Sequence, residues 1–329
     1  MRQAAAVVLA LALGILTTPP VAQGAEAGKV KRIGVLSPAY APSGPSPRFE
    51  AFRQRLRELG WEEGRTVAIE YRWAEGNLDR LPDLAGELVR LKVDVIIAIN
   101  SPATRAAKGV TSIIPIVFTG VAEIATTGLV AGLARPGGNI TGVSTMAAEM
   151  SGKRLQLLRE VLPKASRAAV LWHTPSYGAA TSLKEMEAAS RHLRLQLQNV
   201  GVRSPDEFQS AMDAAIKGRA RALLVIDDLF ITSHRTRILQ LAQKSRLPVF
   251  SIYSDFAEAG GLLAYGPSGP DTYRSIATLV DKILRGAKPA DLPVEQPTRF
   301  EMVINLKTAK ALGLKIPPTV LVQANRVIE

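Results

Sequence analysis

Ten residues near the middle of the chain, Arg135-Pro136-Gly137-Gly138-Asn139-Ile140-Thr141-Gly142-Val143-Ser144, separate two copies of one pattern. On each side, short apolar runs alternate with segments whose apolar residues recur at helical spacing. Such alternation predicts β/α units built on a parallel sheet. Pro136 and the two glycines after it break a helix, and the apolar run that follows is too short to be another. The stretch therefore predicts the end of one lobe and a passage into a second, with Arg135 to Gly138 as a turn and Asn139 to Ser144 as a hinge strand. At 329 residues, 47% of them hydrophobic, the chain is long enough for two such lobes. The expected fold is α/β: two doubly wound parallel-sheet lobes joined by a multi-strand hinge.

In doubly wound sheets a ligand sits beyond the carboxyl ends of the strands. Two facing lobes would collect both sets of loops in one cleft, and this rule selects the candidate binding residues. In the first array Val30 to Leu36 reads as a buried strand, with Ser37 at its end and Tyr40 in the Pro/Ser/Gly loop beyond. Val93 to Ile99 is the strongest strand signal, and Asn100-Ser101-Pro102-Ala103-Thr104 follows it. Ser101 reads as an N-cap with Pro102 at the first helical position. The free N–H groups of that helix are either simply capped or a cradle for an anion such as a carboxylate. Thr119-Gly120 closes the next strand, a short helix is expected over Gly128 to Ala134, and Ser144 and Thr145 should form the cleft floor.

The second array repeats the scheme. Ala168 to Trp172 is a strand leading to His173 and Tyr177; Ala222 to Ile226 leads to Asp227-Asp228; Val249 to Ile252 leads to Tyr253 and Asp255. Thr232 to Ser245 reads as one helix. Asp227, Asp228 and Asp255 either cap the next helix or receive a ligand ammonium. Tyr177, Tyr253 and Tyr265 stand at strand ends where they could cover an apolar ligand group or join the core. The Gly-bounded strand 260–266 and the Pro-rich segment 286–298 are expected to cross between the lobes.

Other chemistries fit poorly. The three histidines, His173, His192 and His234, have neither ligand spacing nor a nucleophile partner, so neither a metal site nor a hydrolase is expected. Without cysteine there are no disulfides or thiolate sites. The Gly137–Gly142 glycines follow a helix and open a strand, the reverse of a phosphate loop. The net charge is +12, but Lys and Arg are spread among acids without stacking aromatics, so no nucleic acid partner is expected. No cofactor is expected either. Arg2, the uncharged run Ala4 to Leu16 and the small residues up to Ala25-Glu26-Ala27 read as a secretory signal peptide, cut within 22–27. The expected location is periplasmic or otherwise exported, without a cysteine-linked lipid anchor.

Several segments carry a family resemblance: Ile113-Ile114-Pro115-Ile116-Val117-Phe118, Gly128 to Gly142, Ala259-Gly260-Gly261-Leu262 to Tyr265-Gly266-Pro267, Ile283 to Thr298, and Val303 to Leu314. In combination they resemble the tryptophan/tyrosine-type ABC transporter substrate-binding family, with the type I periplasmic binding protein fold. The resemblance spans essentially the whole mature chain. It implies a monomeric receptor that captures a small carboxylate-bearing solute, an amino acid among the candidates, and hands it to an ABC permease in the membrane. The chain departs from the family where specificity would be set: Glu123-Ile124 stands where Asp-Pro is frequent, and His173 where Asn is common. The expected organisation is a signal peptide over 1–27, lobe one over 28–145 plus about 267–290, and lobe two over 146–266 plus about 291–329. Two other classes stay open at this stage: a receptor feeding a membrane sensor, and a two-lobed α/β enzyme.

Overall fold

The first apolar run becomes β1 (Lys31–Ser37), buried on both faces from Ile33 onward, as a central parallel strand must be. The structure, a computed structural model, describes residues 30–41, 46–121, 124, 128–146, 150–226 and 228–329. The signal-peptide residues and Asp227 lie outside the described residues. After β1 come α1 (Pro47–Glu58), β2 (Val67–Trp73), α2 (Leu81–Arg90), β3 (Val95–Ile99), α3 (Asn100–Val110), β4 (Ile116–Val121) and β5 (Ile140–Ser144). These strands form one parallel sheet in the order β2-β1-β3-β4-β5.

Side chains along each strand alternate between two covered faces. Ile96, Ala98, Ile116 and Phe118 pack under α2 and α3 with Leu84, Leu88, Ala103 and Ala107. Val95, Ile97 and Val117 pack on the opposite face with Phe52 and Leu56 of α1.

The second array runs α4 (Met150–Val161), β6 (Arg167–His173), α5 (Tyr177–His192), β7 (Gln196–Val202), α6 (Glu207–Lys217), β8 (Leu223–Val225), α7 (Leu229–Ser233), α8 (Arg235–Lys244), β9 (Val249–Ser251), α9 (Ser254–Glu258) and β10 (Leu263–Pro267). Then follow α10 (Gly269–Leu284), β11 (Phe300–Asn305), α11 (Leu306–Leu312), α12 (Pro318–Leu321) and β12 (Arg326–Ile328). The second sheet has the order β12-β11-β10-β9-β8-β6-β7. Its two faces are again both covered, by α4 and α5 on one side and by α6 and α8 on the other.

The strands are parallel except β11 and β12, which run parallel to each other and antiparallel to β10 and the other strands. The reason is the path of the chain. α10 leaves the second sheet and packs its Tyr273, Ile276 and Val280 on the first, against Phe52 and Leu56. The chain then re-enters the second sheet from the end at which it left, so β11 has to run the other way.

Three segments connect the sheets, and among the described residues the third adjoins both β5 and the second. One follows β5, the second joins β10 to α10, and the third precedes β11. Ser144 N donates to Glu295 O and Glu295 N donates to Gly142 O, which ties the third segment along β5. Ser268 N donates to Arg299 O, which ties the second to the third. The strand expected to cross at 260–266 is instead β10, a member of the second sheet, and the crossing comes directly after it. Likewise β5 is a buried edge strand of the first sheet, so the joint lies after Ser144 rather than within the strand.

Two helices differ from expectation. Gly128 to Ala134 is not helical; Leu129 and Val130 are buried there as bends in the cluster beneath α2 and α3. Seven residues containing two glycines are too few to offset helix nucleation. Thr232 to Ser245 is broken at His234, which leaves helical geometry (φ −102°, ψ 13°) while its ring Nδ1 bonds Phe230 O at 2.8 Å.

Candidate functional site

The carboxyl ends of the two sheets meet. Arg48, near the start of α1 and therefore beyond β1, reaches Asp255 of α9, which lies beyond β9. Its Nη2 is 3.1 Å from each oxygen of that carboxylate. The guanidinium carbon also stands 5.0 Å from the centre of the Tyr253 ring, in cation–π range. Gly269, the first residue of α10, leaves room for this arm: a Cβ there would lie 2.8 Å from Arg48 Nε.

Behind Arg48 is an aromatic group from three elements of the first sheet's side. Phe49 packs edge-on against Tyr71, Trp73 and Tyr273 at 5.8, 5.8 and 5.3 Å, and Tyr71 stacks on Trp73. Burial pushes the Tyr273 hydroxyl up to about 12; Tyr253 and Asp255 push it the same way, and Arg48 opposes them. Burial also raises the Tyr71 hydroxyl. Tyr40, 62% exposed, lies over Gly76 at the rim of this region.

At the ends of β3 and β4 two loops interlock. Asn100 has φ 70°, and its side chain fills the space beside Gly120, itself at φ 70°. The expected cap at Ser101 is not seen. α3 begins two residues earlier, at Asn100 rather than Pro102, and no side chain caps it. The left-handed turn at Asn100 is what releases the helix from the strand, and Asn tolerates that conformation better than most residues. Thr104 is buried and donates to Asn100 O at 2.9 Å, while Ala103 is fully buried in the core. Ser37, Thr119, Ser144 and Thr145 are also buried, and Ser37 Oγ accepts from Ala39 N.

On the second sheet, His173 at the end of β6 stacks on Phe230 at 4.2 Å and donates from Nδ1 to Asp228 Oδ2 at 3.0 Å. Asp228 Oδ1 accepts from Ile231 N at 2.9 Å, the N-cap bond of α7. Both oxygens of Asp228 are thus engaged, which is the capping alternative. Asp255 makes no capping bond; its partner is Arg48. Tyr177 opens α5. Tyr265 stacks on Phe300 of the neighbouring strand at 6.2 Å and packs against the core.

The structure therefore groups Tyr253 and Asp255 with Arg48, groups His173 with Asp228, and groups Asn100 with Gly120. A groove of about 760 Å³ lies elsewhere, lined by Arg167, Arg191, Arg194 and Gln198 at the amino ends of β6 and β7, the wrong end for a ligand of such a sheet. Among the described residues no group of three His, Cys, Asp or Glu could hold a metal ion. No helix among them is long and apolar enough to cross a membrane.

Residues 35–328 match the family model described as ABC transporter substrate binding protein. The chain belongs to that family. ABC transporter substrate binding proteins bind solutes and are not enzymes, which agrees with the receptor expected from the residues. The chain is similar to the tyrosine-binding protein of Clostridioides difficile strain R20291, 25% identical over 290 residues that cover 88% of this chain and 83% of that one. Among solved structures it is similar to the ABC domain in complex with L-Trp from Streptococcus pneumoniae. There the identity is 26% and the TM-score 0.83, over 91% of this chain and 100% of that one. A conserved domain protein from Vibrio cholerae O1 biovar El Tor gives 26% identity and a TM-score of 0.82 over the same shares. The two-lobed α/β fold expected from the repeated pattern is the fold of this substrate-binding family.

Arg48, Phe49, Trp73 and Tyr273 are not among the residues expected from strand ends. Phe49 was absorbed by the helical periodicity of α1. Arg48 had a usable signal, since it follows a Pro/Ser loop at the carboxyl end of β1, the position that the strand-end rule favours.

Proposed function

We propose that this chain is an exported receptor that captures an aromatic amino acid, of the tryptophan or tyrosine kind, between its two lobes and delivers it to an ABC permease. The observation that carries the reading is the meeting of the two sheets' carboxyl ends at Arg48 and Asp255, beside three crossing segments. The bound L-Trp and the tyrosine-binding name of similar proteins point to the solute class. Phe49, Trp73 and Tyr253, each only partly buried, supply flat apolar surface for an aromatic side chain.

The moving units are lobe one, 28–145 with about 267–290, and lobe two, 146–266 with about 291–329; the packing of α10 on α1 favours this division. Solute contacts made only when the lobes close would supply the shift between states. The ligand-contacting set we assign comprises Ser37, Tyr40, Asn100, Ser101, Thr119, Gly120, Ser144, Thr145, His173, Tyr177, Tyr253 and Asp255. Delivery then requires that the permease read the closed form. Export follows the signal-peptide reading of residues 1–27, and N-terminal sequencing of the secreted protein would check it.

Mass spectrometry of small molecules released from the purified protein, followed by calorimetry with L-tryptophan and L-tyrosine, tests the receptor role. One of the two should be recovered and should raise the melting temperature. If no small molecule is recovered and neither amino acid shifts the melt, the reading fails.

A further inference from the structure

We infer that Arg48 and Asp255 form the zwitterion site of the receptor: on binding, the ligand's carboxylate takes the place of Asp255 on Arg48, and its α-ammonium takes the place of Arg48 on Asp255. This rests on the proposed amino-acid receptor and assigns the two groups that read the amino acid backbone.

Four observations lead here. First, the pair joins the two halves of the molecule, with the cation on α1 beyond β1 and the anion on α9 beyond β9. One molecule bound to both would hold the lobes together. Second, the pair is exchangeable. The two side chains are 28% and 32% exposed, and a water-accessible ion pair adds little stability, so opening it costs little. A carboxylate and an ammonium arriving together leave neither charge unpaired.

Third, among the described residues the competing acid is committed. Asp228 gives one oxygen to His173 Nδ1 and the other to Ile231 N, so receiving an ammonium there would break a helix cap or a histidine contact. Fourth, the aromatic surface adjoins the charges. Tyr253 lies under the guanidinium, and Tyr273 and Phe49 stand behind it. An α-carbon held between Arg48 and Asp255 would place its aromatic side chain against the partly buried Tyr253 and Phe49 rings, while Tyr273 itself is buried in the core.

A different role fits the same contact: a latch that steadies the closed lobes without touching ligand. The two separate by ligand chemistry. Calorimetry would compare wild type, Arg48→Gln and Asp255→Asn with L-tryptophan, tryptamine and indole-3-propionate, or with L-tyrosine, tyramine and 3-(4-hydroxyphenyl)propionate if tyrosine is the ligand. Each variant should lose about tenfold or more in affinity for the amino acid, the value of a charge-assisted contact. Arg48→Gln should bind the amine that lacks a carboxylate within about threefold of wild type, and Asp255→Asn the acid that lacks an ammonium likewise. Melting curves of the ligand-free variants should stay within a few degrees of wild type, since both side chains are partly exposed.

Equal losses on all three ligands would overturn the zwitterion site in favour of a latch. Unchanged amino acid affinity would overturn it outright. A wild-type protein that binds none of these compounds would defeat the aromatic amino-acid reading itself, a result distinct from either.

Discussion

Asn100 and Gly120 interlock at the carboxyl ends of adjacent strands. Both have φ 70°, and a Cβ on Gly120 would lie 2.1 Å from Asn100 Oδ1 and 3.5 Å from Asn100 N. Gly120→Ala therefore meets both a left-handed backbone and an occupied space. The expected loss is about 1–2 kcal/mol from the backbone conformation alone, read by urea unfolding. Asn100→Gly keeps the positive φ accessible and should cost less; an equal or larger loss would show that the Asn side chain, and not the turn, holds the loops.

Gly142 marks a tighter approach. A Cβ there would lie 2.2 Å from Phe118 O and 2.7 Å from Phe118 N, both backbone atoms that cannot turn aside. Gly142→Ala should push β5 from β4 and disturb the bond from Glu295 N to Gly142 O. Overpacking of this kind costs about 3 kcal/mol. A thermal melt unchanged by the substitution would refute this account.

Asp228 serves two neighbours, and substitutions should separate them. Asp228→Ala removes the N-cap of α7 and the partner of His173, with an expected loss of about 1–2 kcal/mol. Asp228→Asn keeps an oxygen for Ile231 N and should lose clearly less in the same unfolding assay. Equal losses would mean that the carboxylate charge matters more than the cap.

Tyr273 predicts an alkaline limit. Its hydroxyl is pushed up to about 12 from an ordinary value near 10, so the folded state favours the protonated form. The stability it contributes is complete below pH 10 and is lost as pH rises toward 12. Ultraviolet titration should show Tyr273 among the tyrosines that ionise late, together with unfolding. Tyr273→Phe should flatten the fall in stability between pH 10 and 12; an unaltered slope would assign the effect to another group.

Much of the fold was legible because it rests on local chemistry. Buried parallel strands need continuous apolar runs, and β1, β3 and β4 advertise themselves that way. Pro136, Gly137 and Gly138 do form a turn, but the first array ends one strand later, with β5 at Ser144. Where local reading failed, tertiary forces had overridden it: Leu129 and Val130 are buried without a helix, and His234 splits a long periodic segment. The strand-end rule placed the candidates Asn100, Gly120, His173, Asp228, Tyr253 and Asp255 at or beyond strand ends, because that position is a property of sequence order. It could not say that Asp228 would be consumed by a cap and a histidine while Asp255 would not.

Two β/α arrays and the loops beyond their strands follow from residue order alone, since each depends on local spacing. The return of α10 to the first sheet and the reversed direction of β11 and β12 come from long-range packing. Only it brought Arg48 to Asp255, 207 residues away along the chain. Such pairings are fixed by which apolar faces remain to be covered once the sheets form, and no local pattern records that.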